Sequence, residues 1–361
     1  MSSFLISFII SAILSLLIVR YATTHALDSD MLGVQKFHAR AVPRIGGLGI
    51  FVAVIATSMV ATYRSPSLGK ALLLLLLCSS VAFLGGVVED FTKRVSPKRR
   101  LLLTMVAAGL GYFLLDAKIE RIDLVFSDWR LLVWIGLPLT VLAVAGVANA
   151  VNIIDGFNGL AAVVTVCMLL SLAYVALQVG DTFILVSALV VAGAAAGFLV
   201  WNYPAGLIFL GDGGAYFLGF MLAELSVLLV MRNPTVSSWY AALLLIYPVF
   251  ETLFSVYRRL FVRGRSPGTP DGIHLHSLIF RRIVVWAAGR EDARALNIGN
   301  SRTSPYLWLL SLMAVIPASL FWRHTGILIF FCLLFVISYV WLYARIVRFK
   351  SPRWMFPRKK R

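Results

Sequence analysis

Long apolar runs separated by short polar segments repeat along the whole chain. A bilayer core about 30 Å thick requires roughly 20 apolar residues per helix. Runs of about that length with few charges lie at residues 2–20, 46–62, 70–88, 101–115, 131–148, 159–178, 183–201, 206–231, 237–257, 304–321 and 326–344. This pattern predicts an all-α, polytopic integral membrane protein with about 11 membrane-spanning helices.

The composition supports the same fold class. The chain has 361 residues, 60% of them hydrophobic, and a mean hydropathy of +0.89, which is far outside the range of soluble domains. Because the apolar runs leave little room for a soluble domain, residues 1–361 are predicted to form a single membrane domain. Its largest polar parts are a loop at 258–303 and a basic tail at 345–361, both expected on the cytoplasmic side.

The sequence supports neither a signal peptide at the N-terminus nor a site built from cysteines. Residues 2–20 lack the basic start and the small-residue cleavage site of a signal peptide, so they are interpreted as a retained helix. The cysteines lie within apolar runs and indicate neither a disulfide framework nor a thiolate metal site; they are Cys78, Cys167 and Cys332.

The distribution of basic residues predicts the orientation. The formal net charge is +17, and most of the 33 lysines and arginines lie in the loops after predicted spans 1, 3 and 9 and in the tail. The positive-inside rule therefore places the N-terminus outside and the C-terminus in the cytoplasm. The tail, with Trp354 and Phe356 among its basic residues, suits anionic lipid headgroups. We expect no nucleic-acid partner.

Four carboxylates fall at the predicted cytoplasmic ends of the spans: Glu89, Asp90, Asp155 and Asp212. A charged group within a span costs about 2.5–3.5 kcal/mol on insertion scales, so it is expected to face a polar cavity or a bound ion. Carboxylates gathered at one membrane face repel one another unless a cation is present, and hard oxygen ligands suit Mg²⁺ or Mn²⁺.

The surroundings of these acids indicate a bound diphosphate. Mg²⁺ usually takes one or two carboxylates and completes its shell with water and substrate phosphates. Basic residues follow Glu89 and Asp90 in "EDFTKRVSPKRR", and the glycines beside Asp212 permit close backbone approach to a ligand. His274 and His276 lie between arginine pairs in a glycine- and proline-rich segment, which favours phosphate binding over Zn²⁺.

These segments, in this order, resemble the polyprenyl-phosphate N-acetylhexosamine-1-phosphate transferases, membrane enzymes that start bacterial cell-envelope glycans. The resemblance rests on "KFHARAVPRIGG", "EDFTK", "NAVNIIDGFNGLA", "FLGDGGAYFLGF" and "HLHS". It implies transfer of a sugar 1-phosphate from a UDP-sugar to undecaprenyl phosphate, with release of UMP and a requirement for Mg²⁺. It also implies a site on the cytoplasmic face of the bacterial inner membrane, and it leaves a homodimer open.

The resemblance also implies roles for individual residues. Asp212 would be the principal Mg²⁺ ligand, with Asp155 beside it, and Asp90 would orient or deprotonate the lipid phosphate, next to Glu89. Phe209 matches an aromatic residue that stacks on uracil. The residues implied in substrate binding are Lys36, His38, Arg44, Lys93, Asn149, Asn152, Asn158, Phe209, His274 and His276.

Three positions depart from the pattern of the family. Glu89 replaces the first of two paired aspartates, Asn158 replaces an aspartate, and Ser277 replaces the last histidine of the histidine motif. The last two argue against the muramoyl-pentapeptide transferase of peptidoglycan synthesis. Enzymes that begin O-antigen, common antigen, teichoic acid or exopolysaccharide synthesis fit better.

Two other function classes compete with this interpretation. A transporter or flippase for lipid-linked glycans would also place charges in spans, but the polar residues gather at one face instead of the midplane. A CDP-alcohol phosphatidyltransferase would continue its DG signature with an Ala-Arg pair and further spaced aspartates. Here "DGFNGLAAVVTV" runs into an apolar helix without them.

Overall fold

The computed structural model describes residues 1–22, 27–28, 42–124, 128–264, 272–284 and 293–348. The helices are α1 (Ser2–Tyr21), α2 (Gly46–Arg64), α3 (Pro66–Thr92), α4 (Pro97–Leu114), α5 (Val133–Ile154), α6 (Leu160–Val179), α7 (Thr182–Asn202), α8 (Gly211–Arg232), α9 (Ser238–Leu244), α10 (Ile246–Tyr257), α11 (Leu275–Ile279), α12 (Ala293–Leu320) and α13 (Thr325–Val347). Short π-helical segments, Arg258–Val262 and Phe280–Val284, continue α10 and α11. Strands β1 (Leu27–Asp28) and β2 (Val42–Pro43) pair antiparallel, as do β3 (Arg121–Asp123) and β4 (Asp128–Arg130).

The all-α, polytopic prediction is confirmed. Within the ranges just given, nine helices are long and apolar enough to cross a membrane. The predicted span 237–257 is instead a bent pair, because α9 and α10 meet at an angle of 69°. The predicted span 101–115 lies in α4, whose first turn carries Lys98, Arg99 and Arg100, so α4 is not among the nine. The orientation of the termini stays a prediction.

Helix α8 lies at the centre of the bundle. It is apolar on all sides, and 94% of its span is buried, more than in any other candidate span of the described chain; a helix that is apolar all round is expected to be buried in this way. Its Phe217 ring lies 5.2 Å from that of Phe51 on α2 and 6.1 Å from that of Phe83 on α3. Phe51 and Phe83 stack at 4.0 Å.

Glycines bring α2 and α3 into backbone contact with the first turn of α8. A Cβ on Gly47 would lie 2.3 Å from the amide nitrogen of Gly214, and one on Gly86 would lie 2.4 Å from that of Gly213. Both distances are too short for any side chain other than hydrogen. The start of α8 is therefore placed directly against the last turns of α3, where Glu89 and Asp90 lie.

We predict that Gly86→Ala lowers the thermal stability of the detergent-solubilised protein, because the new methyl group would force α3 and α8 apart. Overpacking of this kind typically costs about 1–3 kcal/mol. Gly109→Ala on α4 is the matched control, since a Cβ there has no atom within 4 Å. Its melting temperature should be unchanged or slightly raised. Equal melting temperatures for the two variants would contradict the close packing of α3 on α8.

Candidate active site

A cavity of about 450 Å³ opens where the end of α3, the end of α5 and the start of α8 meet. Its wall includes acids, amides, an aromatic ring and imidazoles from segments that are far apart in the sequence. The predicted site residues found there are Arg44, Glu89, Asn152, Asp155, Asn158, Phe209, Asp212, His274 and His276. The structure thus brings most of the predicted residues to one place.

The start of α8 is fixed by Asp90. The two carboxylate oxygens of Asp90 accept hydrogen bonds from the backbone N–H groups of Asp212 and Gly213, both at 2.9 Å. The first N–H groups of a helix have no partner within the helix, so this carboxylate satisfies them and complements the positive end of the helix dipole. Gly211 has a φ of 76°, and a Cβ there would lie 2.7 Å from Asp90 Oδ2, so only glycine fits.

Asp212 projects from that turn and meets two arginines. Its Oδ1 accepts hydrogen bonds from Arg44 Nη2 at 2.9 Å and from Asn152 Nδ2 at 3.0 Å. Its Oδ2 forms an ion pair with Arg100. Arg44 Nε also lies 3.6 Å from Asp90 Oδ1, so this guanidinium bridges both aspartates. The carboxylate is only 3% exposed, and its charge is compensated within the protein.

Asp155 immediately follows α5 and lies on the cavity wall, partly exposed. Its surroundings exclude much of the solvent, and this burial raises the pKa of Asp155 to about 7, against the opposing attraction of Arg44. The carboxyl therefore keeps its proton to a higher pH than an exposed aspartate does. A cation bound beside it would favour the ionised form.

Asn158 anchors the loop between α5 and α6 to α12. Its backbone N–H donates to Asn300 Oδ1 at 2.8 Å, and its carbonyl accepts from Ser304 Oγ at 2.6 Å. Its side-chain amide donates to Ser301 Oγ at 3.2 Å. Asn158 lines the cavity, and these contacts show that it also holds the shape of the wall.

The two histidines form another part of the cavity wall. The rings of His274 and His276 stack with centroids 5.2 Å apart and an angle of 8° between their planes. Phe157 contacts the edge of His276 with the centroids at 5.5 Å. A Cβ on Gly156 would lie 3.4 Å from His276 Nε2, so the "DGFNG" segment and the histidine segment are in direct contact.

The remaining predicted site residues lie outside the cavity wall, are engaged by other contacts, or fall outside the described residues. Asp90 is committed to the start of α8, Asn149 Oδ1 accepts from Tyr216 Oη at 3.1 Å, and Lys93 ends α3 in a left-handed conformation with φ 55°. Glu89 lies on the wall, but its Oε2 accepts the N–H of Val95 at 2.6 Å. Lys36 and His38 lie outside the described residues.

Four polar residues that were not among the predicted catalytic, substrate-binding or metal residues also line the cavity: Arg100, Asn202, Ser277 and Asn300. The sequence does indicate Arg100, because this residue ends the basic run that follows the acidic pair Glu89 and Asp90. Its Nε is buried and has no hydrogen-bond partner among the residues that the structure describes. Asn300 lies in "NIGNSRTS", a polar stretch just before an apolar run.

Two carboxylates on the cavity wall, Asp155 and Asp212, are candidate ligands for a hard divalent cation. In the described part of the chain, no group of three or more histidine, cysteine or acidic side chains is placed to hold a metal. Mg²⁺ does not require such a group, since one or two carboxylates with water and phosphate oxygens suffice. Asp155 and Asp212 supply two carboxylates on one cavity wall, and the side chain of Asn152 contacts Asp212.

Comparisons with known proteins agree with this arrangement. Residues 72–230 match the family described as "Glycosyl transferase family 4". A Bacillus subtilis (strain 168) protein named "Probable undecaprenyl-phosphate N-acetylglucosaminyl 1-phosphate transferase" is 31% identical over 284 residues, which cover 75% of each chain.

Two other relatives carry related names. A Thermotoga maritima protein named "Undecaprenyl-phosphate alpha-N-acetylglucosaminyl 1-phosphate transferase" is 28% identical over 288 residues, 78% of this chain and 81% of that protein. A Streptococcus pneumoniae "Phospho-N-acetylmuramoyl-pentapeptide-transferase" is 31% identical over 230 residues, 61% of this chain and 68% of that protein. The resemblance inferred from the motifs is thereby confirmed. The chain belongs to glycosyl transferase family 4 and is a membrane-embedded sugar-phosphate transferase.

Proposed function

We propose that this protein transfers an N-acetylhexosamine 1-phosphate from a UDP-sugar to undecaprenyl phosphate and releases UMP. The observation that carries the proposal is Asp212, a buried carboxylate at the start of α8 that lies between Arg44 and Arg100 on a cavity wall. The names of the Bacillus subtilis and Thermotoga maritima relatives support both the acceptor and N-acetylglucosamine as the first sugar to test.

The cavity suits phosphoryl transfer because that reaction depends mainly on positioning and charge neutralisation. Arg44 and Arg100 supply guanidinium donors that match phosphate oxygens, and the buried Nε of Arg100 has no hydrogen-bond partner among the described residues. A polyprenyl phosphate is already an anionic nucleophile at neutral pH, so a general base is not required. Asp90 therefore acts in this proposal by holding the start of α8.

A divalent cation would be held by Asp212 and Asp155. When bound, Mg²⁺ would neutralise charge on the diphosphate of the donor, and Mn²⁺ could replace it. Phe209 on the same wall offers a ring on which a flat uracil base can stack. His274 and His276, which also line the cavity, would contact the sugar diphosphate.

The cellular setting follows from the same proposal. The chain is a multi-pass membrane protein. By the positive-inside rule, the basic loops support a cavity on the cytoplasmic face of the bacterial inner membrane, where UDP-sugars are made. The lipid acceptor would reach the cavity from the bilayer and the sugar nucleotide from the cytosol. The reaction would be the first membrane step of a cell-envelope polysaccharide.

We predict that Asp212→Asn abolishes UMP release from UDP-N-acetylglucosamine and undecaprenyl phosphate while the protein stays folded in detergent. The amide keeps the shape of the side chain but loses the charge that binds a cation. Asp116→Asn is the control, because that side chain is 81% exposed and lies beyond the far end of α4. Near-normal turnover by Asp212→Asn would refute the assignment of Asp212 to the metal.

Chelation tests the requirement for a metal ion separately from the transferase activity. We expect treatment with EDTA to abolish UMP release and added Mg²⁺ or Mn²⁺ to restore it, because these hard cations prefer carboxylate and phosphate oxygens. Full activity in EDTA would remove the cation from the proposal and leave the transferase activity itself standing.

Replacing His274 and His276 together with alanine should raise the KM for UDP-N-acetylglucosamine and leave the amount of membrane-inserted protein unchanged. The reason is that both rings face the cavity and neither lies in a membrane-spanning helix. His324→Ala is the control, since His324 is exposed beside the end of α12 that lies away from Asn300. An unchanged KM in the double variant would show that the two histidines do not contact the donor.

A further inference from the structure

A buried carboxylate outside the cavity holds the histidine segment from behind. Glu251 on α10 is 1% exposed. Its Oε1 lies 3.0 Å from His274 Nδ1 and accepts the backbone N–H of Leu275 at 3.0 Å. Its Oε2 accepts the hydroxyl of Tyr339 on α13 at 2.7 Å. One side chain therefore joins α10, α13 and the start of α11.

The hydrogen bonds of Glu251 select one tautomer of His274. An ionised carboxylate only accepts hydrogen bonds, and Glu251 meets its partners at both oxygens. His274 Nδ1 must then carry the proton that it donates to Oε1. In a neutral imidazole only one ring nitrogen is protonated, so the hydrogen bond at Nδ1 leaves Nε2 without a proton. Since Nδ1 is committed to Glu251, a cavity ligand that contacts a ring nitrogen of His274 would do so through Nε2.

Neighbouring contacts fix the backbone of the same segment without touching the imidazole. Arg258 Nη1 donates to the carbonyl oxygen of Ile273 at 2.7 Å, and the hydroxyl of Tyr343 donates to the same oxygen at 3.2 Å. Arg258 also contacts Ser255 and Tyr343. The path of the chain into the cavity is thus held from α13 and from the end of α10, whereas the orientation of the His274 ring is set by Glu251.

We propose that Glu251 is a positioning residue that holds His274 protonated at Nδ1, with Nε2 turned toward the donor substrate. The ring of His276 stacks on the ring of His274, so the orientation that Glu251 gives to His274 also limits the orientation of His276. This role rests on the proposed function, because it assigns the donor as the ligand. The tautomer itself does not depend on which reaction the protein catalyses.

The kinetic test compares variants of two buried glutamates. Glu251→Gln keeps the volume of the side chain but cannot accept at both oxygens, so the KM for UDP-N-acetylglucosamine should rise about 10-fold with a smaller change in kcat. Glu224→Gln is the matched control. Glu224 is fully buried on α8, and its carboxylate has no hydrogen-bond partner within the described ranges. Its KM should equal that of the wild type.

Two more substitutions separate ring orientation from packing. Tyr339→Phe removes one donor to Glu251 and leaves the contact with His274, so its KM should rise less than that of Glu251→Gln. Glu251→Asp keeps the charge and both acceptor oxygens on a shorter arm, so it should recover part of the activity lost in Glu251→Ala. Equal KM values for Glu251→Gln and Glu224→Gln would overturn the proposal.

A spectroscopic test reads the tautomer directly. The chain has 5 histidines, so ¹⁵N-histidine labelling with solid-state NMR in bilayers gives few signals, and His274→Asn identifies the one that belongs to His274. We expect that signal to show a protonated Nδ1 in the wild type and a shift toward protonated Nε2 in Glu251→Ala. Identical spectra would refute the positioning role. If the wild-type protein releases no UMP but the change of tautomer in Glu251→Ala is still seen, the proposed function is refuted and the positioning role stands.

Discussion

The rest of the site depends on the two hydrogen bonds that the carboxylate of Asp90 accepts from the first turn of α8. They join the last turn of α3 to the first turn of α8, and they are possible because Gly86 and Gly213 allow the two backbones to touch. Asp212 follows directly from this contact, since its own N–H is one of the two donors. The key carboxylate is therefore placed by the packing of two long helices and not by a loop.

The charges of the site balance one another in a way that suits an anionic ligand. Asp212 is nearly buried, and such a group is stable in a membrane bundle only when it is paired. Arg44 and Arg100, which precede α2 and begin α4, provide this pairing from two different segments. A diphosphate that enters the cavity would meet guanidinium groups already oriented by Asp212. These ion pairs explain the stability of the buried acid, and in the proposed function the same two arginines would also bind the phosphates of the donor.

The sequence was sufficient to predict which segments meet, because a charge in an apolar run requires polar surroundings and the span ends alternate between two faces. It could not reveal the separate contacts of Glu89 and Asp90. Adjacent residues on a helix point in directions about 100° apart, and Asp90 meets a turn of the chain 122 residues later. The bend at Leu245 was missed because the apolar run was interpreted as one helix, although Pro248 within it favours an interruption. Glu251 did have a signal, since it is an acid within a predicted span, the same feature that identified Asp212.

Asp90 and Glu251 both hold the start of another helix through a buried carboxylate. Each is a buried acid that accepts a backbone N–H from the first turn of another helix. Asp90 accepts the N–H of Asp212 on α8. Glu251 accepts the N–H of Leu275 on α11, the residue after His274. Each contact places a cavity residue by tying its backbone to a buried carboxylate. The difference lies in the other contacts of the two carboxylates. Asp90 accepts a second backbone N–H of α8 on its other oxygen, and Arg44 Nε lies 3.6 Å from its Oδ1. Glu251 shares Oε1 between Leu275 and the His274 ring, so it sets the chemistry of a side chain as well as its place.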